Sequence, residues 1–262
     1  MITATESFIG AARELLARVE AQEEAIQKAA EICTDAIAAG GLVHAFGTGH
    51  SRIAVEELFP RYGSFPGFNP LVELSMTFHT QVVGANGQRQ AMFIERVEGL
   101  AEAILANFEL SPPDALIVFS AGGSTAVPVE MAAGARRRGL TVIAVTAAEA
   151  QPPLLDHADV VLDLCTPPGD ALVGLEGVET PVGPGSTIAA VALANELKVR
   201  TAVALQERDA LPPVITSPAV VGEGRSAELF DGAYAEHARR LARTLRGVVP
   251  HTEEEEDGSP QQ

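Results

Sequence analysis

Leu42-Val43-His44-Ala45-Phe46-Gly47-Thr48-Gly49-His50-Ser51 decides how the rest of the chain is read. Residues 42–46 form an apolar run with the length of a buried strand. Two glycines one residue apart then turn the chain, and Ser51 stands where a helix would open. A strand, a tight turn and a helix start together make an anion cradle. The first N–H groups of the helix have no intrahelical acceptor, and its dipole favours negative charge. The pattern alone is shared by many short G-x-G turns, and it lacks both the third glycine of a dinucleotide fingerprint and the Gly-Lys-Ser/Thr of a P-loop.

Outward from that stretch, helical and strand-like segments alternate. Apolar residues at helical spacing run over 5–39 and stop at Gly40-Gly41. A helix is predicted over 50–59, ending before Pro60. A loop rich in Pro and Gly spans 60–70, and a short strand is expected over 71–74. After the turn Gly84-Ala85-Asn86-Gly87 a helix is predicted over 88–107. Apolar runs at 114–120, 140–146 and 158–164 read as strands buried on both faces. Helices are expected over 124–138, 186–206 and 227–246, with a loop over 166–185. The alternation predicts an α/β fold, a doubly wound parallel sheet. The segments divide into an N-terminal helical arm (1–40), a main domain (41–250) and an acidic tail (251–262) expected to be disordered.

Composition narrows the function. The 262 residues carry a net charge of −17 with only 18 Lys and Arg. Residues 253–257 hold five of the negatives, and the body remains acidic without them. Such a chain is a poor binder of nucleic acid, which requires cations to neutralise phosphates. No apolar run is long enough for a membrane span, and the first residues lack a signal-peptide pattern. Two distant cysteines, Cys33 and Cys165, suit a reducing cytoplasm. There is no H-x-x-x-H or H-E-x-x-H spacing, so neither a metal site nor a cofactor is expected.

Two more turns repeat the opening chemistry. Ser120-Ala121-Gly122-Gly123-Ser124-Thr125 follows a strand, and Gly183-Pro184-Gly185-Ser186-Thr187 opens a helix. Ser and Thr are favoured at helix starts as plain caps. Three such turns in one α/β chain favour a shared phosphate site over three unrelated caps. Ligands of these sheets bind beyond the carboxyl ends of the strands.

The order G-T-G-H-S, S-A-G-G-S-T and G-P-G-S-T resembles the sugar isomerase (SIS) domain family over about residues 5–246. With Val127-Pro128-Val129-Glu130-Met131-Ala132 it is similar to a single-domain bacterial group, some members of which resemble N-acetylglucosamine-6-phosphate dehydratases. The resemblance implies a five-stranded parallel sheet, a bound phosphosugar, and a homodimer or homotetramer with a site shared between subunits. It also implies that Ser51, Ser120, Ser124 and Thr125 hold the phosphate, and Gly47, Thr48, Gly49, Gly122, Gly123, Ser186 and Thr187 of the same three turns are further candidate contacts. The family's second turn reads Ser-x-Ser-Gly-x-Thr. Here Gly122 stands at the second serine, so either Ser124 or backbone N–H groups replace that hydroxyl.

Candidate acids and bases come next. Glu56-Glu57 before Pro60-Arg61-Tyr62 resembles segments of the heptose-phosphate isomerase and of the N-acetylmuramic acid 6-phosphate etherase. Both likenesses imply that Glu57 is the catalytic base, in its own site or a neighbouring subunit's. A partner acid is sought among Glu95, Glu98 and Glu102, which also fit a solvated helix face. Val97-Glu98-Gly99 resembles the etherase segment that holds its second acid. His50 and His79 are candidates for proton handling, and His237 sits where related isomerases complete the site. Asn86, Gln88 and Arg89 are candidate sugar contacts or loop residues.

An open-chain 2-acetamido sugar 6-phosphate has an acidic proton at C2, and a glutamate can remove it. Loss of the C3 hydroxyl then makes a dehydratase, and return of the proton to C1 makes an isomerase. The resemblance favours dehydration of N-acetylglucosamine 6-phosphate. An aldose–ketose isomerase and a non-catalytic phosphosugar sensor remain the alternatives.

Overall fold

The computed structural model describes residues 7–76 and 87–245. In chain order the helices are α1 (Phe8–Glu20), α2 (Glu23–Ala38), α3 (Arg52–Leu58), α4 (Gly87–Ile94), α5 (Leu100–Leu105), α6 (Ala126–Arg137), α7 (Ser186–Glu207), α8 (Pro218–Val221) and α9 (Glu223–Ala242). Five strands, β1 (Val43–Gly47), β2 (Phe68–Leu71), β3 (Ala115–Phe119), β4 (Thr141–Thr146) and β5 (Val160–Asp163), pair in parallel in the order β2-β1-β3-β4-β5. This is the α/β sheet that the alternation predicts. Successive side chains of a strand face opposite ways, so an unbroken apolar run feeds two cores. Ile117, Phe119, Val145 and Leu162 meet Cys33 and Ile37 of α2 and Leu193 and Leu197 of α7. Leu116, Val118, Val142 and Ala144 meet Leu105 of α5 and Met131 of α6. Residues 8–38 of the N-terminal helical arm pack on one face of the sheet.

Four segments differ from expectation, each for a physical reason. The helix predicted over 5–39 breaks because Gln22 leaves helical geometry, with φ −85 and ψ 37. Its Nε2 donates to the Asp163 carbonyl at 2.8 Å, and its Oε1 accepts from the Asp163 N–H at 2.7 Å. One side-chain amide thus takes the place of a further strand on the open edge of β5. The helix predicted over 88–107 is divided into α4 and α5 at Gly99, whose φ is +82. The second strand begins at Phe68 rather than Leu71 and contains Pro70, which a strand at the sheet edge accommodates. The loop over 166–185 contains an antiparallel hairpin, β6 (Ala171–Val173) with β7 (Val182–Pro184). His79, Asn86 and the acidic tail lie outside the described residues.

The amino ends of the strands carry a buried polar cluster. Asp114 Oδ1 accepts from the Leu42 N–H at 2.8 Å and from Arg243 at 3.2 Å. Asn69 Nδ2 lies 3.1 Å from His44 Nδ1, and His44 Nε2 lies 3.4 Å from Asp114 Oδ2. Burial pushes the Asp114 carboxyl up, but His44, the Leu42 N–H and Arg243 together hold it below its usual value. From α9, Arg240 Nη1 donates to the carbonyls of Ile37 and Gly41, both at 2.8 Å. One turn earlier His237 is buried edge-on against Phe59, with centroids 5.9 Å apart, and its Nδ1 has no hydrogen-bond partner among the described residues. Burial, then the charges of Arg240 and His44, hold its pKa below the ordinary value.

The sign of the resulting pH dependence follows from that depression. The unfolded chain takes up the His237 proton near pH ~6.5, whereas the folded chain does so only at lower pH. Stability is complete above about pH 6.5 and falls as the pH drops toward the folded pKa. Urea titrations from pH 7.5 to 5 should show this decline in the native chain and a shallower one in His237→Leu. Equal slopes would remove His237 as its cause.

Candidate functional site

At the carboxyl ends of β1 and β3 the structure opens a cavity of about 530 Å³. The β1 turn contributes Thr48, Gly49, His50 and Ser51, and the β3 turn contributes Ser120, Gly122, Gly123, Ser124 and Thr125. Ser186 and Thr187, at the start of α7, complete the three turns expected from the sequence. The topology accounts for the meeting. The chain leaves β1 toward β2 on one side of the sheet, and β3 leads to β4 and β5 on the other, so the two turns diverge and leave a crevice.

Glycine shapes both turns. A Cβ on Gly47 would come within 3.0 Å of the Ser51 carbonyl, so only glycine lets the chain fold back so closely. Gly123 has φ +59, and a Cβ there would meet Thr146 Oγ1 at 2.6 Å and Pro152 at 2.8 Å. Gly122 differs, since a Cβ there would meet only Ser124 Oγ, at 3.8 Å. The serine that the resemblance expects at this position would fit, so its absence is not a steric requirement.

The hydroxyls of these turns do not cap their helices. Thr125 occupies the N-cap of α6 with extended backbone, φ −78 and ψ 148, yet its side chain makes no capping bond. Ser51 before α3 and Thr48 before the 3-10 turn at Gly49–Ser51 make none either. The N–H groups of Gly122, Ser124 and Thr125 have no acceptor among the described residues. Ser120 Oγ accepts from the Gly123 N–H at 3.1 Å, which closes the loop and leaves its proton for a ligand. Apart from Thr48, whose hydroxyl donates to Glu95, these donors neither cap nor pair among the described residues, and donors that line one cavity suit an anion. Among the described residues no Lys or Arg lines that cavity, so an anion there is met by N–H and O–H groups alone.

Two carboxylates share the cavity. Glu95 Oε2 accepts from Thr48 Oγ1 at 2.7 Å, and the Glu95 carbonyl accepts from the Val127 N–H at 3.0 Å. The latter bond ties this residue to the helix that opens the β3 turn. The other carboxylate, Asp170, is not among the candidates drawn from the sequence. It follows Pro167-Pro168-Gly169 and holds φ +70. Its Oδ1 accepts from the N–H groups of Gly185 and Ser186, and its Oδ2 accepts from Ser186 Oγ at 2.6 Å. The available signal was α7 itself, a 22-residue helix whose N-cap is Gly185 and which therefore needs an acceptor from elsewhere.

Among the described residues, Glu57, Glu98, Glu102 and His237 do not line this cavity. Helix α3 runs away from the β1 turn, and Glu57 near its end lies 3.0 Å from Arg61 and 3.5 Å from Lys198. Lys198 is buried and also donates to the Glu57 carbonyl at 2.9 Å. Burial lowers the Lys198 pKa despite the Glu57 charge. Glu98 is exposed on the segment between α4 and α5. Glu102 is paired with Arg137 and Arg138, which hold its carboxyl below the usual value. His237 lies among the groups at the amino ends of the strands, because α9 returns there rather than to the turns. Among the described residues no group of three or more His, Cys, Asp or Glu is placed to hold a metal ion.

Comparisons with known proteins agree with the fold. The family model for the SIS domain matches residues 7–147. A UPF0309 protein of Streptomyces coelicolor is 35% identical over 226 residues, covering 82% of this chain and 88% of that one. A UPF0309 protein of Caldanaerobacter subterraneus is 31% identical over 246 residues, covering 87% and 97%. The structure of a phosphoheptose isomerase from Francisella tularensis matches with a TM-score of 0.50 at 14% identity, over 72% of this chain and 92% of that one. That last likeness shows a common fold only.

Removing a capping Ser or Thr costs typically about 1 kcal/mol. Ser51→Ala and Thr125→Ala should leave the urea midpoint of the unliganded protein unchanged while weakening the binding of inorganic phosphate. A lowered midpoint in both variants would return these residues to ordinary capping.

Proposed function

The chain belongs to the SIS domain family, and from that premise we propose that it is a phosphosugar enzyme acting on a carbon-bound proton beside a carbonyl group. The observation that carries this reading is the placement of Glu95 in the same cavity as the uncommitted donors of the β1 and β3 turns. A phosphate held by Ser51, Ser120, Ser124 and Thr125 fixes one end of an open-chain sugar. Glu95, held by Thr48 and by its own main chain, meets the carbon chain. It takes the place at the reacting carbon that the resemblance gives to Glu57.

The substrate proposed is a 2-acetamido-2-deoxyhexose 6-phosphate, of which N-acetylglucosamine 6-phosphate is the example, and the reaction is loss of water. Glu95 takes the proton from C2, and the electron pair moves toward the C1 carbonyl and then forms the C2=C3 bond. The C3 hydroxyl leaves with a proton from His50, which lies on the phosphate turn. The sums balance as one water lost and one double bond gained, without an oxidant or reductant. An isomerase is the second reading. It is favoured by Asp170, whose carboxylate is already committed to three donors, so that of the two carboxylates described in the cavity Glu95 is left for carbon chemistry, and a single base suffices to move a proton from C2 to C1.

Incubation with a set of hexose and hexosamine 6-phosphates, followed by mass spectrometry, tests the proposal. The expected result is a product lighter by one water from the acetylated amino sugar. Glu95→Gln should still bind the phosphosugar and should lose about 10²–10⁴-fold in turnover, the usual contribution of a general base. An isomer of unchanged mass would replace dehydration with isomerisation. Turnover that survives Glu95→Gln but not Glu57→Gln would move the base to Glu57.

A further inference from the structure

The third hydroxyl-bearing turn has a different job from the other two. Sequence alone groups Ser186 with the phosphate contacts, but its donors are already engaged. A serine hydroxyl has one proton and two acceptor positions. The Ser186 proton lies on the 2.6 Å bond to Asp170 Oδ2, a short charge-assisted contact. The N–H groups of Gly185 and Ser186, which would make the start of α7 an anion site, are held by Asp170 Oδ1 at 3.1 and 2.7 Å. Asp170 thereby places a negative charge where the helix dipole would attract one. A phosphate dianion, which only accepts hydrogen bonds, has nothing to gain from Gly185 and Ser186.

Ser186 is nonetheless part of the cavity, with 8% of its surface exposed. With its proton held by Asp170, it presents lone pairs only. We propose that Asp170 fixes the Ser186 hydroxyl as a hydrogen-bond acceptor, making a subsite for a hydroxyl or amide N–H of the sugar, distinct from the phosphate turns. The inference deepens the phosphosugar reading and rests on it. It divides the cavity by polarity. Donors at the β1 and β3 turns take the phosphate, and the Ser186 acceptor takes a donor group from the carbon chain. Asp170 is a positioning residue in this scheme, acting through Ser186.

The test compares two ligands on the same variants by calorimetry: inorganic phosphate and N-acetylglucosamine 6-phosphate. Ser186→Ala keeps both backbone bonds to Asp170, so the helix start remains intact. It should weaken the sugar phosphate by about ten-fold, the scale of one polar contact, and leave inorganic phosphate unchanged. Asp170→Asn should reduce the same selectivity. The double variant should lose no more of it than Ser186→Ala alone, because both act through one hydroxyl. A purely structural role for Asp170 would weaken both ligands together. Equal losses for both ligands, or no loss for either, would overturn the proposal. If the unaltered protein binds no hexose 6-phosphate at all, the phosphosugar reading falls and the subsite with it. If it binds them and Ser186→Ala changes nothing, the subsite alone falls.

Discussion

Parallel pairing of β1 with β3 is the constraint on which the site depends. Val43–Gly47 lies in register with Ala115–Phe119, so that Gly47 stands beside Phe119 and both strands end at one level. The turns that follow are forced side by side, and each opens a helix whose first N–H groups have no partner within it. The two strands are central and buried on both faces, so the turns cannot drift apart without opening both cores. The rigidity of the sheet thereby becomes rigidity of the donor array. Pre-positioned donors lose little entropy when an anion arrives.

What the sequence made legible follows from this. Unbroken apolar runs identify buried parallel strands, and glycine-and-hydroxyl turns after them identify the carboxyl edge. Ser51, Ser120, Ser124 and Thr125 could therefore be placed together before any coordinates. What was hidden depends on single long-range contacts. Gln22 lies in an otherwise helical pattern, and nothing local shows that its amide would pair with Asp163, 141 residues away. Asp170 sits in a Pro- and Gly-rich loop whose hairpin is short, with three residues in each strand. Its importance comes from the start of α7, which lacks a cap of its own.

Glu57 and Glu95 part company in space. The likenesses point to Glu57, and α3 carries it away from the β1 turn to Lys198 and Arg61. Glu95 is farther away in sequence and closer in space, because α4 ends against the start of α6. The bond between the Val127 N–H and the Glu95 carbonyl makes that approach.

The absence of Lys and Arg from the described cavity wall has a consequence for what the site can discriminate. A cationic pocket attracts any anion at long range and is screened by salt. Here the protein is acidic overall, with Glu95 and Asp170 in the wall, so the long-range field opposes anions and attraction begins only at hydrogen-bond distance. Neutral N–H and O–H donors act only where geometry is met, so a phosphate is held by fit rather than by field. The same two carboxylates oppose a second anionic group, with no Lys or Arg among the described lining residues to offset them. A phosphosugar whose remaining groups are hydroxyl and amide therefore suits this wall better than one that carries an additional carboxylate.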